Sequence, residues 1–332
     1  MTRAAVLTGL GAMLPPRRVT NAELSLRLDT SDEWIQTRTG IRQRYWTTGM
    51  ATSDLAVGAG RHALKAAGAD TVDVLVLATT TPDHPCPATA PDVASQLGLG
   101  TVAAFDVAAV CSGFVYGLAT AAAQIEAGHA DSALVIGAET YSTILDPDDR
   151  GTAVIFGDGA GAVVLRAGHA AEPGAFLGFD LGSDGSLKDL IVIPGGGSRQ
   201  RTAQEGEYPA TGYFAMQGRP VFRHAVMRMA DSALALLARN GWAPASVDWF
   251  VGHQANVRIL HGVADQLGID RERAVVDLDR VGNTSAASIP LALWRAVETR
   301  RLSAGHRVLL SAFGGGVTWG STALTWPDIT TV

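Results

Sequence analysis

Residues 72–78, VDVLVLA, form an apolar run too short for a helix, the mark of a strand buried on both faces. TVAAFDVAA at 101–109 and SALVIGAE at 132–139 repeat it. Between these runs lie stretches rich in Ala and Gly that read as helices, PDVASQLGLG before the second strand and CSGFVYGLATAAAQIEAG after it. The same order returns in the last third of the chain. VDWFVG at 247–252 is followed by LHGVADQLGID, RAVVDLDRV at 273–281, NTSAASIPLALWRAVETR and HRVLLSAFGG. Strand, helix, strand, helix, strand thus occurs twice with similar spacing, and each first helix closes on QLG, so we read a structural duplication. Such alternation predicts parallel strands with helices on their faces. It also makes Cys111 and Asn283 positional twins, each at the carboxyl end of a central strand and the start of a helix. Ligands bind there in open α/β sheets.

The division that follows is an N-terminal half over 1–170, an excursion over 171–215 and a C-terminal half over 216–332. The excursion contains PGGGSRQRTAQEGEYPATG and reads as an exposed lid or wall. AVIFGDGAGAVVLR at 153–166 predicts a hairpin around an Asp-Gly turn, and TWGSTALTW a closing strand.

Composition narrows the function classes. With 47% hydrophobic and 17% charged residues over 332 positions, the chain has the profile of a globular protein with a large core. A net charge of −6 and no run of Lys or Arg argue against nucleic acid or an anionic membrane as main partner. Two cysteines, Cys86 and Cys111, make no disulfide framework and point to a reducing compartment. No stretch approaches about 18 uncharged apolar residues, and the N-terminus lacks the apolar region of a signal peptide. A cytoplasmic location is expected.

Four motifs carry candidate chemistry. Cys111 sits among small apolar residues, as a core cysteine would, yet a thiol at a helix N-terminus meets N–H groups that favour thiolate. In GHQANVRI, polar His253, Gln254 and Asn256 follow a buried strand directly. Asn283 in VGNTSAASIP suits an N-cap, a role compatible with a place in a site. The glycines of FGGGVTWG permit close backbone approach to a ligand. Neither this run nor FGDGAG has the context of a dinucleotide fingerprint, and no metal-ligand motif occurs, so neither a metal nor a cofactor is expected. Thiol, imidazole, carboxamide and glycine-rich loop suit acyl-thioester chemistry. Papain-like hydrolysis uses the same three residue types, and access of water separates the two.

The phrases DTSDEWIQTRTGIRQR, FDVAAVCSGF, DRGTAVIFGDGAGAVVL, GHQANVRI, DRVGNTSAASIP and AFGGGVTWGS resemble the β-ketoacyl-acyl-carrier-protein synthase III family of the thiolase superfamily, over essentially the whole chain. The resemblance implies a duplicated, five-layered α-β-α-β-α fold, a homodimer and decarboxylative Claisen condensation of acyl-CoA with malonyl-acyl-carrier protein. It makes Cys111 the acyl-accepting nucleophile and gives His253 and Asn283 the malonyl thioester carbonyl. The N–H groups of Cys111 and Gly315 become an oxyanion hole. Trp34 and Arg150 match a pair that sandwiches adenine, and Arg38 a phosphate-side arginine. Met216, Gly218 and Asn256 fall in the substrate and coenzyme A path, and Arg223 and Arg258 suit carrier-protein docking. The sequence departs from the family at Val110, Gly252, Asp265 and Gln266, and at Cys86, where some relatives carry a large aromatic that ends the acyl pocket across the dimer. Rival readings are a starter-unit synthase of a polyketide pathway, an acyltransferase without condensation and an inactive scaffold. The smaller Cys86 implies a roomier pocket for branched or longer starters. Cys86→Phe is expected to narrow the range of acyl-CoA starters used, measured as turnover across a panel of chain lengths.

Overall fold

The computed structural model describes residues 2–204 and 212–331. One sheet holds Arg3–Met13 (β1), Val74–Ala78 (β2), Ala103–Val107 (β3), Ser132–Glu139 (β4) and Gly159–His169 (β5), in the order β1-β5-β4-β2-β3. Its β3, β2 and β4 run parallel, and β5 and β1 join antiparallel. The other sheet holds Phe176–Ser183 (β6), Trp249–Gly252 (β7), Arg307–Gly314 (β8) and Thr318–Thr325 (β9), in the order β7-β8-β9-β6. Here β7 and β8 are parallel, and β9 and β6 antiparallel. A lone parallel bridge from Phe250 to Ala274 occupies the place that β3 has in the first sheet. The two sheets therefore repeat each other strand for strand.

Seven helices matter for the site: Asp32–Thr39 (α1), Thr52–Ala67 (α2), Ala90–Leu97 (α3), Gly113–Glu126 (α4), Gly218–Arg239 (α5), Val257–Leu267 (α6) and Ser288–Glu298 (α7). Helices α4 and α7 lie between the sheets, α2 and α3 cover the first sheet outside, and α5, with α6 beside it, covers the second. This is the five-layered α-β-α-β-α architecture. Its central layer is apolar on both sides because it meets a sheet on each. Phe114, Val115, Leu118 and Ile125 of α4 share one buried cluster with Val76 and Val135 of the first sheet and Val308 and Leu310 of the second. Removing these faces from water drives the layers together.

Four expectations change. RAVVDLDRV is not a strand; Val275 N–H donates to Phe250 O, and Leu278–Val281 then turns into a short helix. AVIFGDGAGAVVLR is not a hairpin, because Asp158 is buried and accepts from the Thr47 and Ser142 amides, which pins the chain before β5 begins. Part of the predicted excursion is core architecture, since Phe176–Ser183 is the edge strand of the second sheet. The remainder includes a two-residue pairing of Ile191–Val192 with Ala215–Met216, and residues 205–211 lie outside the described part. Finally, the structural twin of Cys111 is Ala286. Val110–Ser112 and Ser285–Ala287 are matching single turns that start α4 and α7, and Asn283 precedes its turn by two residues.

Among the described residues no helix is long and apolar enough to cross a membrane.

The turn at Ala286 packs on β4 where Gly137 stands. A Cβ at 137 would lie 2.3 Å from the Ala286 carbonyl oxygen and 2.8 Å from its carbon, backbone atoms that cannot swing aside. Gly137→Ala is therefore expected to cost about 1–3 kcal/mol, as overpacking does. A lower thermal midpoint than that of the unsubstituted chain checks it.

Candidate active site

The site is built on the two matching turns. Val110 has φ +48° and Ser285 φ +49°, left-handed conformations that a non-glycine residue adopts at a cost of about 1–3 kcal/mol. Each residue reverses the chain sharply just ahead of a helix start. Cys111 is thereby presented at the turn itself, immediately ahead of α4. The glycine run after β8 presses against this turn: a Cβ on Gly314 would stand 2.9 Å from Cys111 N and 2.8 Å from Ser112 N, and one on Gly315 would stand 3.1 Å from Val110 Cγ2. Only glycine at 314 leaves the backbone this close to the thiol residue's own amide.

Cys111, His253 and Asn283 line one small cavity of about 40 Å³ with Phe156, Phe214 and Met216 among its walls. The structure thus brings together the three residues singled out from sequence, and all three are buried. Burial decides their charge states. It pushes the Cys111 thiol up to about 12, helped by the nearby Glu139 and opposed by the Ser285 hydroxyl. The helix-terminus effect expected from sequence is outweighed, and the resting thiol is neutral. Burial also lowers His253 to about 3, leaving a neutral imidazole.

Hydrogen bonds fix which atoms face the cavity. Ser288 Oγ is 2.7 Å from His253 Nδ1 and accepts from the Gln254 amide at 3.3 Å. The Ser288 hydroxyl is buried and meets no acceptor other than Nδ1 among the described residues, so it gives its proton there and the imidazole proton sits on Nε2 as a donor. Asn283 Oδ1 accepts from the Ser285 amide at 2.9 Å, which leaves the carboxamide's N–H groups for the cavity. Its backbone is clamped as well, donating to Ile155 O and accepting from Gly157 N, each at 2.9 Å.

Gln254, grouped with His253 from sequence, has a structural task. It donates to Gly252 O and Val275 O and accepts from the Asp277 and Leu278 amides, closing the loop after β7. Asn256 caps α6 by accepting from Arg258 N at 2.8 Å, and it donates to Arg38 O.

A wider cavity of about 510 Å³ is lined by Trp34, Arg38, Gly218, Phe222, Asn256 and Arg258, among others. Its lining alternates with that of the inner cavity along the same segments: Ala255 faces in and Asn256 out, Val221 in and Phe222 out, Phe156 in and Ile155 out. Met216 belongs to the inner cavity and Gly218 to the mouth. Ser31 caps α1 through the Trp34 amide, and Gly40 ends the helix in the left-handed conformation, which sets Trp34 and Arg38 one turn apart. The guanidinium carbons of Arg38 and Arg150 lie 5.6 and 5.4 Å from the Trp34 ring centroid. Trp34 and Arg150 are therefore together as expected but closed on each other, since a purine between them needs about 7 Å, two contact distances. Arg150 is held in place by Asp29. Arg223 and Arg258 are exposed on α5 and α6, with Arg258 over the Phe222 ring at 5.5 Å. Cys86 is exposed and absent from the lining of the inner cavity of the protomer.

Sequence reasoning missed four residues. Ser288 orients His253. Glu139, fully buried, accepts from the Thr80 amide at 2.9 Å and the Thr81 hydroxyl at 3.0 Å, and burial raises it to about 7. The buried Ser285 hydroxyl acts on both Glu139 and Cys111, lowering each. Tyr141 stacks on Phe156 with centroids 4.4 Å apart, and Phe214 meets both rings edge-on, so Tyr141 backs the Phe156 and Phe214 walls of the inner cavity. The one signal available was a carboxylate ending the otherwise apolar run SALVIGAE.

A duplicated five-layered fold whose two helix-starting turns converge on a buried thiol, imidazole and carboxamide is that of the thiolase superfamily. Residues 105–185 match the 3-oxoacyl-[acyl-carrier-protein (ACP)] synthase III family, and residues 237–326 its C-terminal part. The β-ketoacyl-[acyl-carrier-protein] synthase III 5 of Streptomyces coelicolor is 74% identical over 330 residues, 99% of each chain. The crystal structure of the 3-oxoacyl-(acyl carrier protein) synthase III of Pseudomonas aeruginosa PAO1 superposes with a TM-score of 0.93 at 50% identity, covering 98% of this chain and 99% of that one. The priming β-ketosynthase of the R1128 polyketide biosynthetic pathway superposes with a TM-score of 0.90 at 32% identity, covering 98% and 96%. The chain belongs to the 3-oxoacyl-[acyl-carrier-protein] synthase III family, acyltransferases of the thiolase superfamily.

His253 supplies a pH prediction. Its folded value lies near 3, below the ordinary value of about 6.5, so its contribution to stability is complete above 6.5 and is lost as pH falls. Nitrogen-resolved NMR of the imidazoles is expected to show His253 neutral from pH 8 to about pH 5 with the proton on Nε2. Ser288→Ala is expected to abolish that single-tautomer signature.

Proposed function

We propose that the protein condenses an acyl group, taken from acyl-CoA onto Cys111, with malonyl-acyl-carrier protein to give a β-ketoacyl-carrier protein. The observation that carries this reading is the single buried cavity in which a thiol, an Nε2–H imidazole and a carboxamide meet beneath a wider, arginine-lined mouth. In the first half-reaction the Cys111 sulfur attacks the thioester carbon, and coenzyme A leaves with the thiol proton. The developing oxyanion is held by the N–H groups of Cys111 and Gly315, whose backbones the glycine run brings together. In the second, the malonyl thioester carbonyl accepts from His253 and Asn283, two neutral donors suited to an oxygen that gains charge as carbon dioxide leaves. The enolate carbon then attacks the acyl-cysteine. A cavity this small and buried keeps water from the acyl thioester, which favours transfer over hydrolysis.

The mouth suits coenzyme A, with Arg38 for phosphate, Trp34 and Arg150 for a base once Arg150 swings off the indole, and Asn256, Gly218 and Met216 along the path inward. Arg223 and Arg258, exposed beside the mouth, are the docking candidates for an acidic carrier protein. A homodimer is supported by β3, an edge strand half-exposed over Ala104–Val107 with no partner on its outer side among the described residues. Cys86 would reach an acyl pocket only across such a dimer. The relatives' names favour initiation of fatty-acid synthesis, and the likeness to a priming ketosynthase supports a second reading, the starter step of a polyketide pathway.

Intact-mass measurement after mixing with acyl-CoA tests the proposal. An acyl adduct is expected, and Cys111→Ala abolishes it. Asn283→Ala is expected to keep the adduct while slowing condensation about 100-fold or more, the scale of one lost oxyanion donor. An adduct that survives Cys111→Ala would sink the mechanism.

A further inference from the structure

The first half-reaction needs somewhere for the thiol proton to go, and the neighbouring imidazole is a poor place for it. His253 already carries its proton on Nε2, and its Nδ1 receives the Ser288 proton. We infer that Glu139, acting through the Ser285 hydroxyl, accepts the Cys111 thiol proton during acyl transfer. This deepens the proposed function and rests on reading Cys111 as the nucleophile.

These groups meet where the two turns pack on each other and on the end of β4. Glu139 ends β4 directly beneath the second turn. Its Oε2 is satisfied from one side by the Thr80 amide and by the Thr81 hydroxyl. Its Oε1 faces the other side, where its contact is the Ala286 amide at a long 3.4 Å. One acceptor oxygen is thus underused, and it points at the turn that carries Ser285. The Ser285 hydroxyl is fully buried and makes no hydrogen bond of ordinary length in the resting structure. It nevertheless lies near enough to act on both the thiol and the carboxyl. A buried hydroxyl without a partner is costly to keep, and one that acts on both an acid and a base is what a relay requires.

The step balances. As the cysteine sulfur bonds to the thioester carbon, the thiol proton passes to Ser285 Oγ and the Ser285 proton to Glu139 Oε1. The bond from that carbon to the coenzyme A sulfur then breaks, and the proton returns along the same path to the leaving thiolate. Glu139 ends ionised, Ser285 unchanged and coenzyme A protonated. The titratable groups facing this carboxyl are Cys111 on the first turn and Tyr141 just after β4; the Tyr141 phenol, raised well above its usual value by burial, is no base. His253 faces the thiol from across the cavity. With Glu139 raised to about 7 by burial, the relay works when the carboxyl is ionised, so the rate rises with pH through that value.

Glu139→Gln and Ser285→Ala test it. The readouts are alkylation of Cys111 by iodoacetamide, followed on its own peptide by mass spectrometry, and the single-turnover acylation rate, each across pH 5.5–9 (about two units either side of neutrality). Both substitutions are expected to slow both rates about tenfold or more near neutral pH and to remove the rising limb near pH 7. A like charge acting only by repulsion gives the opposite sign. Its removal lowers the thiol's pKa and speeds alkylation, so an equal or faster rate in Glu139→Gln overturns the inference. So does an unchanged rate and pH profile in Ser285→Ala, which decides alone if Glu139→Gln fails to fold. If alkylation responds as expected but no acyl-CoA acylates Cys111, the proposed function fails and the relay stands.

Discussion

Everything at this site depends on how closely two backbone turns approach across the middle of the molecule. A Cβ on Gly113 would lie 3.1 Å from the Ala78 Cβ and 3.5 Å from that of Ala286, and one on Gly137 would lie 2.3 Å from the Ala286 carbonyl oxygen. Glycine at these positions lets the start of α4, the ends of β2 and β4 and the second turn share one small space. Both turns hold a left-handed non-glycine residue, a conformational cost sustained by the packing of two sheets and two central helices around them. The duplicated fold is therefore more than a scaffold repeat. It places two helix starts face to face and lets each contribute different chemistry, a thiol from one and an oriented carboxamide, two serines and an amide from the other.

Burial then sets the chemical character of what meets there. The thiol, the imidazole and Glu139 are all driven toward their neutral forms by loss of water, so the resting cavity carries little charge. In such an environment a fixed N–H donor acts strongly on an oxygen that becomes anionic. The hydrogen bonds that matter most are those from outside the cavity. Ser288 decides which imidazole nitrogen bears the proton, and the Ser285 amide decides which end of the Asn283 carboxamide faces the substrate. These supporting groups make the two donors a preorganised pair, with no need to rotate or ionise during the reaction.

The mouth and the inner cavity divide recognition from chemistry. The mouth is more than ten times larger, cationic at its rim and aromatic. The inner cavity is small and lined by Phe156, Phe214 and Phe313, with Tyr141 packed behind the first two. The excursion contributes to the inner cavity, since Ile191 and Phe214 line it and Ile191–Val192 pairs with Ala215–Met216 beside it. Cys86 lies elsewhere on the surface of the protomer.

The repeat of apolar runs was enough to determine the class of fold, the duplication and the convergence of Cys111 with His253 and Asn283, because buried parallel strands leave a continuous hydrophobic signal and helix starts follow them at fixed spacing. Local pattern also located Trp34, Arg38 and Asn256, once their phrases were set beside a known family. It could not show that 273–281 keeps only a bridge, or that 153–158 is pinned by buried Asp158 and Phe176–Ser183 joins the second sheet, the last two through partners more than 100 residues away. The register of the duplication was likewise invisible: Ala286, an unremarkable alanine, matches Cys111 because both follow a left-handed residue, and backbone dihedrals leave no mark in a row of small side chains. Charge state was decided last and wholly by tertiary structure. A helix start argues for thiolate, and the surrounding layers, by excluding water, reverse that balance and drive the thiol, the imidazole and the carboxyl toward their neutral forms.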